Sequence, residues 1–494
     1  MHSTKPEEND VAWNFIPSQA KILLVKPHWL WGSTHEASPP MGLLYLSSSL
    51  KNRFPGIKTR LLDLRIEKDK NKSLGDMIHH WKPDIVGFLC LTGDQPILLE
   101  LSNIAKQVNP QVHVCCGGPY PTHCPEDFQD MPHVDAIVRG EGEISFGNLV
   151  DCLSKGPQAN PPQPEGFSIR DSKGQLSIPP YGPLISDLDT IPLPDWDLMD
   201  IDLYAQLIQI NILLAGKRFM PVFTSRGCPF HCVYCHNMFG KKVRLRSPKN
   251  IVDEIELLVK KYTVDEIQIY DDIFNIDRSR VFEICDLIID RKLKIKISFP
   301  NAIRGDMADD EMILKLKQAG AYMITFAIET ASPRLQTYIQ KNLNIDKTIR
   351  AIRFANSIGL ITRAYFMIGF PTETIDEIKR TIRLPARLPL TTISFFSVIP
   401  FKGTVLYTMA RKNISERGRH RLDQPHASFF APTTYYSDVT GIHLRKYILI
   451  SYFMFFTPLR LFRYFLKIPR KILYLKQVRL ILQMGFSSGR KKLP

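Results

Sequence analysis

Thr224-Ser225-Arg226-Gly227-Cys228-Pro229-Phe230-His231-Cys232-Val233-Tyr234-Cys235 places three cysteines within eight residues, spaced C-x3-C-x2-C. Three thiolates on one short loop can hold three irons of a cubane cluster. The fourth iron would then lack a protein ligand, and an open coordination site on a metal is where a substrate binds. A Cys3His zinc knuckle is an alternative, because His231 and His236 lie beside the cysteines and structural zinc takes four such ligands. A disulfide is the weaker reading, since the cysteine count of nine is odd and nothing suggests export.

The segments after this loop repeat one pattern. Short apolar runs read as strands at 221–224, 266–270, 294–299, 323–328, 363–368 and 393–399. Helical patterns fill the gaps at 251–261, 278–291, 309–319, 345–357 and 375–384. Such alternation predicts a parallel sheet covered by helices. Six β/α units predict an open, partial TIM-like barrel, with chemistry at the C-terminal ends of the strands. The cysteine loop follows the first strand, which is the expected place.

Upstream, strand patterns at 21–25 (KILLV), 59–63, 84–90 (DIVGFLC), 112–116 and 134–138 alternate with helical patterns at 41–51 and 96–107. They predict a doubly wound, Rossmann-like α/β domain. Ligands in such sheets sit at the carboxyl ends of strands, here in the loops 26–42, 91–95, 117–122 and 140–143. A stretch rich in Pro, Gly, Gln and Ser at 155–183 reads as a linker or surface excursion. LISDLDTIPLP at 184–194 reads as a connector lying on a neighbouring domain. The expected organisation is a polar N-terminal extension (1–20), a doubly wound domain (21–154), a linker and connector (155–215), a partial barrel (216–410) and a C-terminal helical region (411–494).

With 494 residues, 44% of them hydrophobic, the chain can build two or three domains with ordinary cores. Its N-terminus is polar and charged without an apolar h-region, so no secretory signal is expected. The cysteines outside the triplet show no paired metal spacing and read as small buried residues of a reducing cytoplasm. The net charge of +15 is unevenly placed, with 12 Lys/Arg and no Asp or Glu from Gly441 onward. That tail is interleaved with aromatic residues, among them Tyr447, Tyr452, Phe453, Phe462 and Tyr464. Its longest uncharged stretch, 447–459, has 13 residues, too short to span a bilayer. A basic, aromatic, amphipathic segment reads as lying on an anionic membrane surface or as a helical cap packing on the rest of the chain. A nucleic-acid patch ranks behind both.

Taken together, the residues of 21–407 resemble the radical S-adenosylmethionine (SAM) superfamily, in its cobalamin-binding branch. The resemblance implies that Cys228, Cys232 and Cys235 hold a [4Fe–4S] cluster and that SAM binds the fourth iron. An electron from the cluster then cleaves the sulfonium, and the resulting 5′-deoxyadenosyl radical abstracts hydrogen from an unactivated carbon. Tyr234 matches the family's aromatic residue before the third cysteine. Tyr270-Asp271-Asp272-Ile273-Phe274 ends the second strand where the family places polar groups for SAM, with Asp272 the first candidate and Asp271 beside it. Capping the next helix or pairing with Arg278 is the structural alternative for these acids. Ala327-Ile328-Glu329-Thr330-Ala331-Ser332 is similar to the family's Gly-Ile-Glu-Ser-Gly-Ser and makes Glu329 a SAM contact; an ion pair is the alternative. Phe366-Met367-Ile368-Gly369-Phe370-Pro371-Thr372-Glu373-Thr374 resembles the strand-five signature. There Gly369 would let the adenine approach, and Thr372 or Glu373 would begin the next helix. Pro400-Phe401-Lys402-Gly403-Thr404 and Arg304 also fit.

In the N-terminal domain, Gly117, Gly118 and Pro119 (in GGPYPT) and Gly140 and Glu141 (in RGEGE) match the branch's cobalamin-binding patterns. Glycines at a strand end let a large planar group reach the backbone, although a tight turn uses them for the same reason. The Asp-x-His-x-x-Gly motif that supplies a lower cobalt ligand is absent, and His28 lacks the accompanying Asp. The resemblance thus implies cobalamin bound without a histidine lower ligand.

The expected activity is methyl transfer to an unactivated carbon of a small hydrophobic substrate, such as an isoprenoid lipid or a porphyrin. Ring formation, rearrangement and oxidation are rivals within the class, and a non-catalytic corrinoid- or zinc-binding sensor is a rival outside it. An RNA-directed enzyme is disfavoured, since there is no second Cys triplet near the N-terminus as in methylthiotransferases. The resemblance also implies an electron donor such as flavodoxin or ferredoxin. A cytoplasmic protein, peripheral at the membrane through its tail, is expected.

Overall fold

The structure, a computed structural model, describes residues 16–17, 19–28, 38–92, 94–155, 165–207, 213–236, 238–412, 422, 441–475 and 479. Most of the N-terminal extension, 29–37 of the first loop, 156–164 of the linker and nearly all of the tail beyond 475 lie outside the described residues. The chain divides into two compact units, one of residues 1–30 and 40–200, the other of 31–39 and 201–494.

The first unit alternates β1 (Lys21–Lys26), α1 (Met41–Arg53), β2 (Lys58–Asp63), α2 (Lys70–Trp81), β3 (Ile85–Leu89), α3 (Gln95–Val108), β4 (His113–Gly117), α4 (Pro119–His123), β5 (Ala136–Val138), α5 (Gly142–Lys155) and β6 (Phe167–Ile169). The sheet order is β2-β1-β3-β4-β5-β6, with the first five strands parallel. Both faces are covered, which explains why the strands are almost wholly apolar. Along β1, Leu23 and Val25 join the core built with α2 and α3, while Ile22 and Leu24 join the core built with α1 and α5. Successive side chains of a strand point to opposite faces, so one five-letter run feeds two cores.

The stretch read as a linker contains β6, an antiparallel edge strand on β5. Three residues are too few for a periodic signal, and β6 is held chiefly by its pairing. The connector packs on this first unit, where Ile185 N donates to Glu141 Oε2 (2.8 Å) and Asp195 accepts from Ser47 Oγ (2.6 Å) and Lys51 Nζ (2.6 Å).

The second unit begins with the short α6 (Ile201–Gln206). Its main sheet holds β7 (Phe219–Val222), β10 (Glu266–Ile269), β11 (Lys296–Ile303), β12 (Ala321–Glu329), β13 (Ile361–Ile368) and β14 (Thr392–Ser397) in that spatial order, all parallel. β8 (Ser225–Arg226) and β9 (Arg244–Leu245) form a separate antiparallel ribbon. The intervening helices are α7 (Pro248–Tyr262), α8 (Arg278–Asp290), α9 (Asp310–Gln318), α10 (Pro333–Tyr338), α11 (Ile345–Ser357), α12 (Ile375–Arg383) and α13 (Val405–Lys412). Helices α7 to α12 each open on a side-chain cap, from Ser247, Asp277, Asp309, Ser332, Asn344 and Thr374. Such caps satisfy backbone donors that the first turn leaves free. The sheet is an open barrel whose edges are β7 and β14.

Two C-terminal helices, α14 (Gly441–Phe455) and α15 (Pro458–Lys467), cover the β14 edge. The Tyr452 hydroxyl of α14 accepts from Phe395 N at 3.2 Å, and Arg460 donates to Pro385 O (3.3 Å) and Ala386 O (2.7 Å).

Candidate active site

The cysteine loop grows from the end of β7 and is held at its root by Asp271. This buried carboxylate, just beyond β10, accepts from Thr224 N (2.6 Å), Ser225 Oγ (2.6 Å) and the Thr224 hydroxyl. Burial pushes its carboxyl up; Arg280 and these donors pull it back. Arg280 also donates to Thr224 O, closing a clamp around the strand end. Gly227 begins the loop at φ +86°, and a Cβ there would stand 2.6 Å from Lys242 O. Only glycine fits.

Past the root, Val233 is tied on both sides, its N–H to Ile339 O (3.1 Å) and its C=O to Leu406 N (2.8 Å). Beneath it lies an apolar cluster of Val233, Leu335, Ile339, Phe370, Val398 and Leu406. Cys228 and Cys232 are half-buried and Cys235 is exposed, whereas the other six cysteines are buried. A hydrogen bond from Cys235 holds the Cys232 thiol down at about 6, and Lys341, Tyr234 and Arg304 act in the same direction. The donor Cys235 is pushed up by the same bond, and burial raises Cys228. Three thiols that are not fully buried, on one short loop, suit an iron cluster, which takes thiolate ligands.

One of the two histidines offered for a zinc knuckle is engaged elsewhere. His236 Nε2 pairs with Lys402 O at 3.1 Å, and burial lowers its basicity. Among the described residues, no three His, Cys, Asp or Glu side chains converge on one ion position.

Around the loop stand the candidate SAM residues. Tyr234 OH donates to Glu329 Oε1 at 3.3 Å, and Lys341 Nζ donates to the same oxygen at 2.8 Å, with both partners of this ion pair buried. Glu329 lies at φ +64°, and Gln340 and Asn342, flanking Lys341, lie at +53° and +49°. Left-handed non-glycine residues cost energy and collect at functional sites. Arg304 stacks on Phe230 inside the cysteine loop (3.8 Å to the ring centre), pairs with Asp306 (2.9 Å) and donates to Lys341 O (3.0 Å). Asp272 is open to solvent yet walled by protein. That surrounding, with Asp271 next to it, pushes its carboxyl up to about 6 against the pull of Lys241 and the Gly227 amide.

At the end of β13, Glu373 accepts from the amides of Gly369 and Phe370 (3.1 Å to the latter), and Leu444 of α14 packs on Gly369. The helix starts where the pattern at 375–384 put it, later than the strand-five resemblance implied. Thr374 is the cap of α12, in a reciprocal capping box with Glu377, whereas Thr372 sits at φ +66° with its carbonyl held by Arg334 (2.8 Å). The structure thus gathers Tyr234, Asp272, Glu329 and the Gly369 turn around the three cysteines, and places Asp271 at the loop's root. Lys341 was missed by sequence reasoning. Its loop carries no motif, and its partner lies 12 residues away.

The cobalamin candidates lie in the first unit at the C-terminal ends of its strands. The order β2-β1-β3-β4-β5 reverses direction at β1/β3, and such a switch point opens a ligand crevice. A buried ion pair missed by sequence reasoning bridges it. Lys26 Nζ, ending β1, lies 3.3 Å from Asp94 Oδ2, which also accepts from Leu91 N (2.8 Å). Burial lowers the lysine and raises the aspartate. Gly118 has φ +102°, and a Cβ there would stand 2.8 Å from Leu89 and 3.0 Å from Cys90 O, so the turn itself requires glycine. Gly117 ends β4, and Pro119 opens α4. Gly140 N donates to Thr122 Oγ1 (3.0 Å), and Glu141 holds the connector through Ile185. Gly117 and Gly118 add no side chain of their own at the β4 end, one strand removed from the switch point.

Residues 222–384 match the family model of the radical SAM superfamily, and residues 30–150 match the B12 binding domain. An uncharacterised methyltransferase of Pyrococcus horikoshii is 33% identical over 402 residues, covering 80% of this chain and 83% of that protein. The anaerobic magnesium-protoporphyrin IX monomethyl ester cyclase of Rubrivivax gelatinosus is 30% identical over 371 residues, covering 74% and 65%. Among solved structures, the radical SAM methyltransferase TsrM of Kitasatospora setae aligns with a TM-score of 0.66 at 17% identity, covering 80% of this chain and 76% of that one. The chain belongs to the radical SAM superfamily, in the branch that carries a B12-binding domain ahead of the barrel. It is a radical SAM enzyme, and its cofactors are a [4Fe–4S] cluster, SAM and cobalamin.

Proposed function

We propose that this enzyme methylates an unactivated carbon of a small apolar substrate. When bound, the cluster and SAM supply a carbon-centred oxidant and the corrinoid supplies the methyl group. The chain's own residues do the positioning: Asp271 fixes the root of the cysteine loop, and Tyr234 with Lys341 orients Glu329 toward the bound SAM. The candidate corrin contacts are Gly117, Gly118, Pro119, Gly140 and Glu141. The observation that carries the reading is the buried Glu329–Lys341 pair joined to the thiol loop through Tyr234. A half-strained acid beside an open thiol triplet has a purpose when SAM's amino-acid end lies there.

The test is product stoichiometry in anaerobically reconstituted enzyme supplied with cobalamin, a low-potential reductant and candidate lipids or porphyrins. Methyl transfer forms 5′-deoxyadenosine and S-adenosylhomocysteine in equal amounts, because one SAM donates methyl and another is cleaved. Cyclisation or oxidation, the second reading favoured by the similarity to the Rubrivivax cyclase, forms deoxyadenosine without the homocysteine product. Formation of neither would overturn both.

We also infer a flavodoxin- or ferredoxin-type electron donor and a cytoplasmic protein in peripheral contact with a membrane. Among the described residues no single helix is long and apolar enough to cross a bilayer, and α14 and α15 meet at a 77° bend. Their outward faces expose Leu449, Phe453, Leu459, Phe462 and Leu466 beside Arg445, Lys446 and Arg463, a composition suited to an anionic lipid surface.

A further inference from the structure

The inner wall of the barrel carries an uncompensated cation. Along β13, Arg363, Tyr365 and Met367 share one face, since alternate residues of a strand do. Their contacts fix that face as the concave one. Tyr365 OH donates to Pro300 O at 2.7 Å and Arg363 Nη2 reaches the same oxygen at 3.3 Å, across the intervening strand β12. Met367 packs on the apolar cluster beneath the cysteine loop, as Tyr234 does. The row therefore climbs the inside of the barrel toward the thiols, with Arg363 lowest.

Arg363 is 5% exposed and its guanidinium lies over the Tyr365 ring. Among the described residues no carboxylate pairs with it, and its buried Nε has no acceptor. Thr325, its register neighbour on β12, has a fully buried hydroxyl that is likewise without a partner. The interior carboxylate Glu266 is occupied by the Ala215 and Gly216 amides (2.8 Å each), Tyr322 (2.9 Å) and Gln268 (3.1 Å). One level above, the register set Ala327, Tyr365 and Ser394 is only half-buried, so the wall there is accessible from within. A buried guanidinium with a free donor beside a free hydroxyl is unfavourable until an anion arrives.

We propose that Arg363 and Thr325 bind the carboxylate of an amphipathic substrate, whose apolar part then runs up past Tyr365, Ala327, Met367 and Phe396 toward the cluster loop. This rests on the reading of the barrel as the reaction chamber and adds the chemical class of the substrate, an apolar molecule with a carboxylic acid. A guanidinium can donate two parallel bonds to a carboxylate, and a single cation with one hydroxyl suits one negative charge.

The experiment is ligand-dependent thermal stability and titration calorimetry of the anaerobic holoenzyme with decanoate. Decanoate should raise the Tm of the wild type, bind about tenfold or more weakly to Arg363→Met and Thr325→Val, and retain part of its affinity for Arg363→Lys. Without ligand, Arg363→Met should melt close to the wild type, because removing a buried charge that has no counter-ion offsets the lost bonds to Pro300 O and the Tyr365 hydroxyl. Equal decanoate binding to wild type and Arg363→Met would place the acid elsewhere, for instance on the exposed C-terminal helices, and overturn the proposal. A large loss of Tm in ligand-free Arg363→Met would do the same by making the arginine structural. Preference for decyl phosphate over decanoate through Arg363 would overturn the carboxylate assignment. Binding is read without turnover, so an enzyme that binds decanoate through Arg363 yet forms no deoxyadenosine would overturn the catalytic reading alone.

Discussion

Glu373 is fully buried, with one carboxylate oxygen on the Gly369 and Phe370 amides and the other without a partner. Burial pushes its carboxyl from the ordinary 4.5 up to about 8, with Glu377 adding to the rise and the two amides and Arg334 opposing it. A carboxyl whose folded pKa is raised stabilises the fold most fully when protonated. Its contribution is complete below the unfolded value and falls away as pH rises from about 4.5 through about 8; a tenfold change in proton affinity between the folded and unfolded chain corresponds to about 1.4 kcal/mol. Glu373→Gln keeps an acceptor for the Gly369 amide and cannot ionise. Its Tm should therefore hold between pH 6 and 9 while the wild type declines, and the two should converge near pH 5. Parallel melting curves across that range would show that Glu373 does not titrate in it. At this scale the sequence made Tyr234, Glu329 and the three cysteines legible through motif position. It hid Lys341, Arg363 and the Lys26–Asp94 pair, because a buried charge declares itself only through partners that the fold supplies.

At the scale of elements, the cysteine loop depends on a neighbouring strand end. Asp271 receives one backbone and two hydroxyl donors from Thr224 and Ser225, and it lies 47 residues from Thr224. Asp271→Ala would leave three buried donors unpaired, at about 1–3 kcal/mol each before relaxation. The expected result is a lower Tm and several-fold less iron per chain after reconstitution, with Asp271→Asn intermediate because its amide oxygen still accepts. Wild-type iron content in Asp271→Ala would mean that the loop is held by Val233 and the apolar cluster beneath it instead. The six strands of the barrel and its helices α7, α8, α9, α11 and α12 were legible here to within a few residues, because buried parallel strands and amphipathic helices write strong periods, whereas the short α10 and α13 went unread. The end of α12's entry loop was not legible. Thr372 and Thr374 are equally good caps on paper, and the Arg334 contact to Thr372 O with the Glu377 capping box decides between them. Helix α2 (KNKSLGDMIHHW) escaped notice because it buries only Leu74 and Ile78, too sparse a stripe to read.

For the molecule as a whole, the C-terminal region packs as the helical cap that its sequence offered as one reading, and it leaves another face exposed for the proposed membrane contact. One face of α14 packs: Leu444, Ile448, Ser451 and Phe455 are buried, and Tyr452 closes the β14 edge, which would otherwise offer unpaired backbone groups to other chains. Phe453 on the other side of α14 and Phe462 on α15 stay bare, at 82% and 62% exposed, in a tail holding 12 Lys/Arg and no acid. Sequence alone could not divide the residues between these roles, because the helices are apolar on more than one side and only docking selects the inner one. The division makes the membrane contact testable without harming the fold. Each exposed Phe contributes roughly 2 kcal/mol on leaving water, so Phe453→Ser with Phe462→Ser should weaken binding to anionic phosphatidylserine vesicles by more than tenfold while Tm stays unchanged. Arg445→Glu with Arg463→Glu should abolish the preference for anionic over neutral vesicles, and salt should weaken wild-type binding. Deletion from Gly441 should instead cause aggregation, because it uncovers β14 and removes Leu444 from Gly369. Unaltered vesicle binding in both double variants would leave the exposed face without a role at the membrane.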